Sequence, residues 1–160
     1  MGHTQEAELV RRFYGKAWNR WDDTVVDELL AEGFAFRGSL GDEVHGRSGW
    51  RGYRDAVRSA IPDFHNEIVE LIVAPGQAAA RLRYTGHHHG VLLGEQGSGA
   101  AIEYEGAAFF RCEDGCLTSA WVLGDIDRLR GQIHASIPRP RPARPHHPDR
   151  LGPGGAGGTR

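Results

Sequence analysis

Cysteine is scarce in this chain: Cys112 and Cys116 are the only two in 160 residues, too few for the disulfide framework on which small secreted domains rely. No run of about 18 apolar residues exists, so no membrane-spanning helix is expected. The opening MGHTQEAELV carries neither the basic nor the apolar stretch of a secretory signal, and a cytoplasmic protein is expected. No internal repeat and no phosphate-binding glycine motif occurs. Net charge is −2, yet residues 136–160 hold five arginines against Asp149 alone, which leaves −6 on the rest. A body of that sign repels phosphate backbones, so no nucleic-acid partner is expected, nor a membrane.

With 39% hydrophobic residues the chain has material for one core, and its length favours one domain. Residues 138–160 contain six of the eight prolines and five glycines. Such composition cannot offset its ordering entropy, which predicts a folded domain over 1–135 and a disordered Pro/Arg/Gly-rich tail over 136–160.

Leu9, Val10, Phe13, Tyr14, Ala17, Trp18 and Trp21 recur at spacings of three and four, which predicts a helix from about Gln5 to Arg20. Asp22, Asp23 and Thr24 supply cap-type residues for a second, short helix that ends near Gly33. Phe34–Arg37 reads as a short strand. Ser48 is placed to cap a third helix carrying Trp50, Tyr53, Val57, Ala60 and Ile61 and stopped by Pro62.

From Phe64 the period changes to two, with strands expected over 64–73, 77–88, 101–112 and 117–125, joined by Pro75-Gly76, a glycine-rich loop and Asp114-Gly115. A short helix follows, with Leu129, Gln132 and Ile133. Helices first and a long antiparallel meander second define an α+β fold: a cone-shaped, curved antiparallel sheet with three N-terminal helices over its concave face, enclosing one pocket. Cys112 and Cys116 flank the Glu113-Asp114-Gly115 turn and would face each other across a hairpin as reduced thiols. Joining them to His87, His88 and His89 as a metal site lacks paired-ligand spacing, so no metal is expected.

The segments FYGKAWNR at 13–20, DELLAEGF at 27–34, IPDFHNEIVELIV at 61–73, TGHHHGVLLG at 85–94, GAAFFRCEDG at 106–115 and WVLGDIDRLRGQI at 121–133 follow in order the pattern of the SnoaL-like polyketide cyclases. The resemblance covers about residues 8–134. It implies a nuclear transport factor 2-like cone, no cofactor, a homodimer or higher homo-oligomer, and closure of a polyketide ring by intramolecular aldol reaction, in natural-product and antibiotic biosynthesis. Its Trp-x-x-x-Asp pattern, with Leu four and Gln seven residues beyond the Asp, falls on Trp121, Asp125, Leu129 and Gln132, and assigns the acid/base role to Asp125. Where anthracycline cyclases carry His and Gln on the preceding strand, Phe109 and Arg111 stand here.

Asp125 is in phase with Trp121 and Leu123, so its carboxylate is expected on an apolar, desolvating face where it gains basicity; the other reading is a cap for the helix after it. His88 occupies the T-G-x-H-x-G histidine position and shares phase with Leu82 and Tyr84, while His87 and His89 face away. Arg111 would clamp a carboxylate or oxyanion, or pair on the sheet surface with Glu103 or Glu105. Tyr14, Trp18, Phe34, Trp50, Tyr53, Phe109 and Trp121 are expected to pack or to line a cavity suited to a flat polyketide, with His65 either beside them or at a strand edge.

Overall fold

The computed structural model describes residues 2–136; the tail expected over 136–160 lies outside them, apart from Ser136. Helix α1 (Gly2–Arg12) runs directly into a wider π-helical turn, Phe13–Trp18. There the Asn19 amide reaches back five residues to the Tyr14 carbonyl at 2.9 Å. The stripe read from the sequence is buried except for the partly exposed Trp21, with Val10, Phe13 and Ala17 fully enclosed. Asn19 then clasps Asn66: its Nδ2 donates to the Asn66 carbonyl at 2.9 Å and its Oδ1 accepts from the Asn66 amide at 2.8 Å.

Asp22 caps a 3-10 turn, Asp23–Val25, by accepting from the Thr24 amide. Helix α2 (Val26–Leu29) is one turn long. The chain becomes extended at Leu30, three residues before the expected end at Gly33, and β1 covers Leu30–Arg37. Burial of Leu30, Phe34 and Phe36 on one side of this strand outweighs the helical pattern of 27–33. After β2 (Glu43–His45), helix α3 (Gly46–Ala60) begins two residues before Ser48, which therefore lies inside the first turn and caps nothing.

Strands β3 (His65–Ala74), β4 (Gln77–His87), β5 (Ala101–Glu113) and β6 (Cys116–Gly124) form the expected meander, and α4 (Ile126–Ala135) closes the described chain. The sheet order is β2-β1-β6-β5-β4-β3. It is mixed and unclosed rather than wholly antiparallel, because β1 pairs with β6 in parallel. In register, Cys112 sits opposite Leu117 and Glu113 opposite Cys116, so the two cysteines are not cross-strand partners; both are free thiols.

Inward positions alternate along the long strands: Ala78, Ala80, Leu82 and Tyr84 on β4, Ile102, Tyr104, Ala108 and Phe110 on β5, Leu117, Ala120 and Val122 on β6. Helices α1 and α3 pack on the sheet and bury this face. The opposite face carries an uninterrupted row across five strands, Arg37, Trp121, Phe109, Ala79 and Ile72, in direct register. Trp121 and Phe109 are 43% and 55% exposed, and the Arg37 guanidinium covers the Trp121 ring at 5.0 Å.

Candidate functional site

The concave side encloses a cavity walled by Trp18, Phe36, Val57, Ile61, Phe64 and Val122, with polar groups from Tyr14, Ser39, Tyr53, Asn66, Tyr84 and Tyr104. Its free space is about 20 Å³, room for one water-sized group. The inward alternation of β4 and β5 brings Tyr84 and Tyr104 opposite one another, ring centroids 4.7 Å apart. The π-helical turn brings Tyr14 and Trp18, and α3 brings Tyr53. Two glycines make room for these phenols. A methyl group at Gly38 would overlap the Tyr53 hydroxyl, and one at Gly106 would stand 2.9 Å from the Tyr84 hydroxyl.

Ser39, on the turn between β1 and β2, lies 3.2 Å from the Tyr104 hydroxyl and also bonds Tyr53. Tyr53 bonds the Leu40 backbone as well. Burial raises all four phenols above the ordinary tyrosine range, Tyr53 to about 12. At neutral pH they are hydrogen-bond donors, not bases. No lining side chain is a carboxylate or an imidazole.

Of the residues read from the sequence, Tyr14, Trp18 and Tyr53 meet in this cavity. Phe34 and Trp50 are fully buried but pack into the aromatic core around Phe13, with centroids at 6.2 and 5.4 Å, and do not line it. His65 is an exposed strand-edge residue. Phe109, Trp121 and Arg111 lie on the outer face, where Arg111 bonds Gln77 at 2.6 Å rather than Glu103 or Glu105.

Asp125 is also on the outside, exposed, in a solvent cleft with Arg83, Glu103, Glu105 and Arg128. Its phase with Trp121 and Leu123 is as expected, but those side chains are themselves exposed, so the desolvation argued from them does not arise. Asp125 caps α4 by accepting from the Arg128 amide at 3.1 Å. The rest of the motif is structural in the same way: Leu129 is buried, and Gln132 clasps Glu103, accepting from its amide at 2.9 Å and donating to its carbonyl at 2.7 Å.

His88 is fully buried while His87 and His89 are exposed, as the strand phase requires. It does not reach the cavity. Its Nδ1 lies 2.9 Å from Ser98 Oγ, its backbone ties to Ala100 and Gly99, and it anchors the 88–100 loop. Ser39, Asn66, Tyr84 and Tyr104 were not singled out from the sequence; the alternation of β4 and β5 carried the signal for the two tyrosines, whereas Ser39 sits on a turn with no periodic signature. Among the described residues no group of three or more His, Cys, Asp or Glu side chains is placed to hold a metal ion, and no helix is long and apolar enough to cross a membrane.

The chain matches the SnoaL-like polyketide cyclase family over residues 8–133 and belongs to that family. No curated protein sequence matches it significantly. Among solved structures it is similar to a proposed SnoaL-like polyketide cyclase from Jannaschia sp. CCS1, with 21% identity, TM-score 0.76, and 86% of this chain and 96% of that one covered. It is similar to TsrD from Streptomyces laurentii, with 24% identity, TM-score 0.74, and coverage of 84% and 98%. It also resembles AclR, a proposed hydroxylase from Streptomyces galilaeus, with 20% identity, TM-score 0.71, and 87% of each chain covered. These likenesses establish the nuclear transport factor 2-like α+β fold.

Proposed function

We propose that this protein is a cofactor-independent enzyme that closes a ring in a polyketide-type natural product, with the reacting carbonyls held in the concave cavity. The observation that carries this reading is the cavity lining: aromatic walls with convergent phenols, in a chain of the polyketide cyclase family. A β-dicarbonyl segment supplies its own enol. In the closing step the enol carbon bonds to a second carbonyl carbon, the enol oxygen becomes a ketone, and its proton passes to the new alkoxide. No external base is consumed. The protein's part is to hold the near-attack geometry and donate hydrogen bonds to the oxygen that gains charge.

This reading moves the chemistry away from Asp125, which serves as a cap, and favours shape-directed aldol closure or cycloaddition. Epoxide opening would require carboxylates that the cavity does not offer. A ring-sized substrate enters when the Gly38–Asp42 turn, which carries Ser39 and Leu40, moves aside. The enzyme works as a homodimer, the outer row of Trp121 and Phe109 meeting a second copy.

The small free volume supports a second reading, a non-catalytic binding or dimerisation module. One experiment separates the two. The protein is co-expressed with a minimal polyketide synthase that releases a reactive poly-β-ketone, and products are followed by liquid chromatography with mass detection. Convergence of the mixture onto one cyclised product supports the enzyme, and an unchanged mixture supports the module.

A further inference from the structure

Tyr14 stands apart from Tyr53 and Tyr104. Ser39 engages both Tyr53 and Tyr104, and Tyr53 also reaches the Leu40 backbone. The Tyr14 hydroxyl, by contrast, is buried and has no hydrogen-bond partner among the described residues. Its ring cannot swing to find one: Phe13 and Phe110 grip it edge-to-face, at centroid distances of 5.1 and 5.9 Å and interplanar angles of 71° and 85°. The π-helical turn that begins at Phe13 adds a second constraint, since the Tyr14 carbonyl holds the Asn19 amide and Asn19 is clasped to Asn66 on β3. Turns of this kind are uncommon inside helices and concentrate at functional positions. A rigid, desolvated donor on a residue that lines the cavity discriminates for an acceptor, because an occupant without one leaves the hydroxyl unsatisfied.

We infer that Tyr14 is the residue that positions the substrate, donating a hydrogen bond from its hydroxyl to a carbonyl or enol oxygen of a neutral ligand in the concave cavity. This rests on the cavity reading of the function given above and names the contact that makes it selective. The ligand class that follows is an uncharged ketone or enol on a flat apolar frame. A carboxylate or phosphate is disfavoured, since no lining side chain carries positive charge.

Acetophenone and α-methylstyrene test this. They share shape and differ by a carbonyl oxygen in place of a methylene group. Quenching of the intrinsic tryptophan fluorescence, to which Trp18 at the cavity contributes, gives both affinities. The full-length protein is expected to bind the ketone about tenfold more tightly than the alkene. In Tyr14→Phe that preference is expected to vanish, with alkene affinity unchanged. Equal binding of both compounds by the unmodified protein, or a preference that survives Tyr14→Phe, overturns the role of Tyr14 while leaving the cavity as the site. Binding of neither compound removes the cavity reading and this inference with it. Replacement of Tyr14 by 3-fluorotyrosine, which keeps the ring packing and strengthens the donor, provides a readout independent of folding. The carbonyl stretch of bound acetophenone is expected to fall further in the infrared, and an unmoved band overturns the assignment.

Discussion

Trp121 lies directly opposite Phe109 across the β5–β6 ladder, ring centroids 6.1 Å apart, on the side of the sheet turned away from the cavity. Two large aromatic side chains left half in water form the centre of an apolar row continued by Ala79 and Ile72. Beside it runs an ionic band in which Arg81 meets Glu70 and Glu105 at 3.4 and 3.5 Å, and Arg83 meets Glu67 at 3.2 Å. These exposed pairs add little stability individually. They frame the apolar row with both signs of charge, which suits a self-complementary contact.

A dimer through this face is therefore expected. Light scattering at micromolar concentration should give twice the chain mass of 17.6 kDa, and Trp121→Lys should yield monomers whose near-ultraviolet circular dichroism still reports a packed interior. A monomeric unmodified protein would refute the arrangement.

Asp125 is expected to behave as a cap. Asp125→Asn should leave stability and product profile nearly unchanged, because Asn caps as well as Asp, whereas Asp125→Ala should cost about 1 kcal/mol in urea unfolding. A loss of turnover of roughly 10²-fold or more in Asp125→Asn, without loss of stability, would return the acid/base role to this residue.

The pair Asp63 and His87 makes acid sensitivity local. The His87 ring lies 2.6 Å from the Asp63 carboxylate, and this bond, with a second from the His87 amide, holds the Asp63 carboxyl below its ordinary range. A depressed folded-state pKa contributes stability above the unfolded value, of about 4, and loses it as pH falls through the folded value. Urea midpoints of the unmodified protein and Asp63→Asn should differ at pH 7 and converge toward pH 3. Curves that stay parallel throughout would contradict the linkage.

The two thiols should separate kinetically. Cys112 is buried, and burial, with Glu6 nearby, pushes its thiol up to about 11. Cys116 is only half-buried and donates weakly to the Glu28 carbonyl at 3.5 Å. At pH 8 a disulfide reagent should titrate Cys116 in minutes and Cys112 only after denaturant is added. Simultaneous reaction of both would mean the β5–β6 hairpin opens in the native state.

The meander was legible because alternation is a local signal: β5 was expected over 101–112 and spans Ala101–Glu113, and β4 differs by one residue. The parallel seat of β1 against β6 was not, since no short-range pattern encodes a pairing between distant segments. Sequence pattern and structure part over which face of β6 is buried. Large apolar residues at 121 and 123 suggest the interior, yet the inward residues of β6 are the smaller Ala120 and Val122, because the bulky aromatics of the π-helical turn and α3 already fill the space above them. Around residues 109 and 121 both faces of this sheet are apolar, so hydrophobicity alone could not tell inside from outside there. Tyr14 was legible as a pocket candidate, while its lack of a partner is a property of three-dimensional packing only.

The parallel pairing of β1 with β6 also sets an order of events in synthesis. Arg37 reaches the Val122 carbonyl, 85 residues further on, so the aromatic helices and β1 leave the ribosome long before the strand they must join exists. Until β6 emerges, Phe34, Phe36 and Trp50 have no sheet to bury against. The nascent chain thus carries these aromatic side chains uncovered for a long interval, the situation in which a chaperone's holding contact matters most.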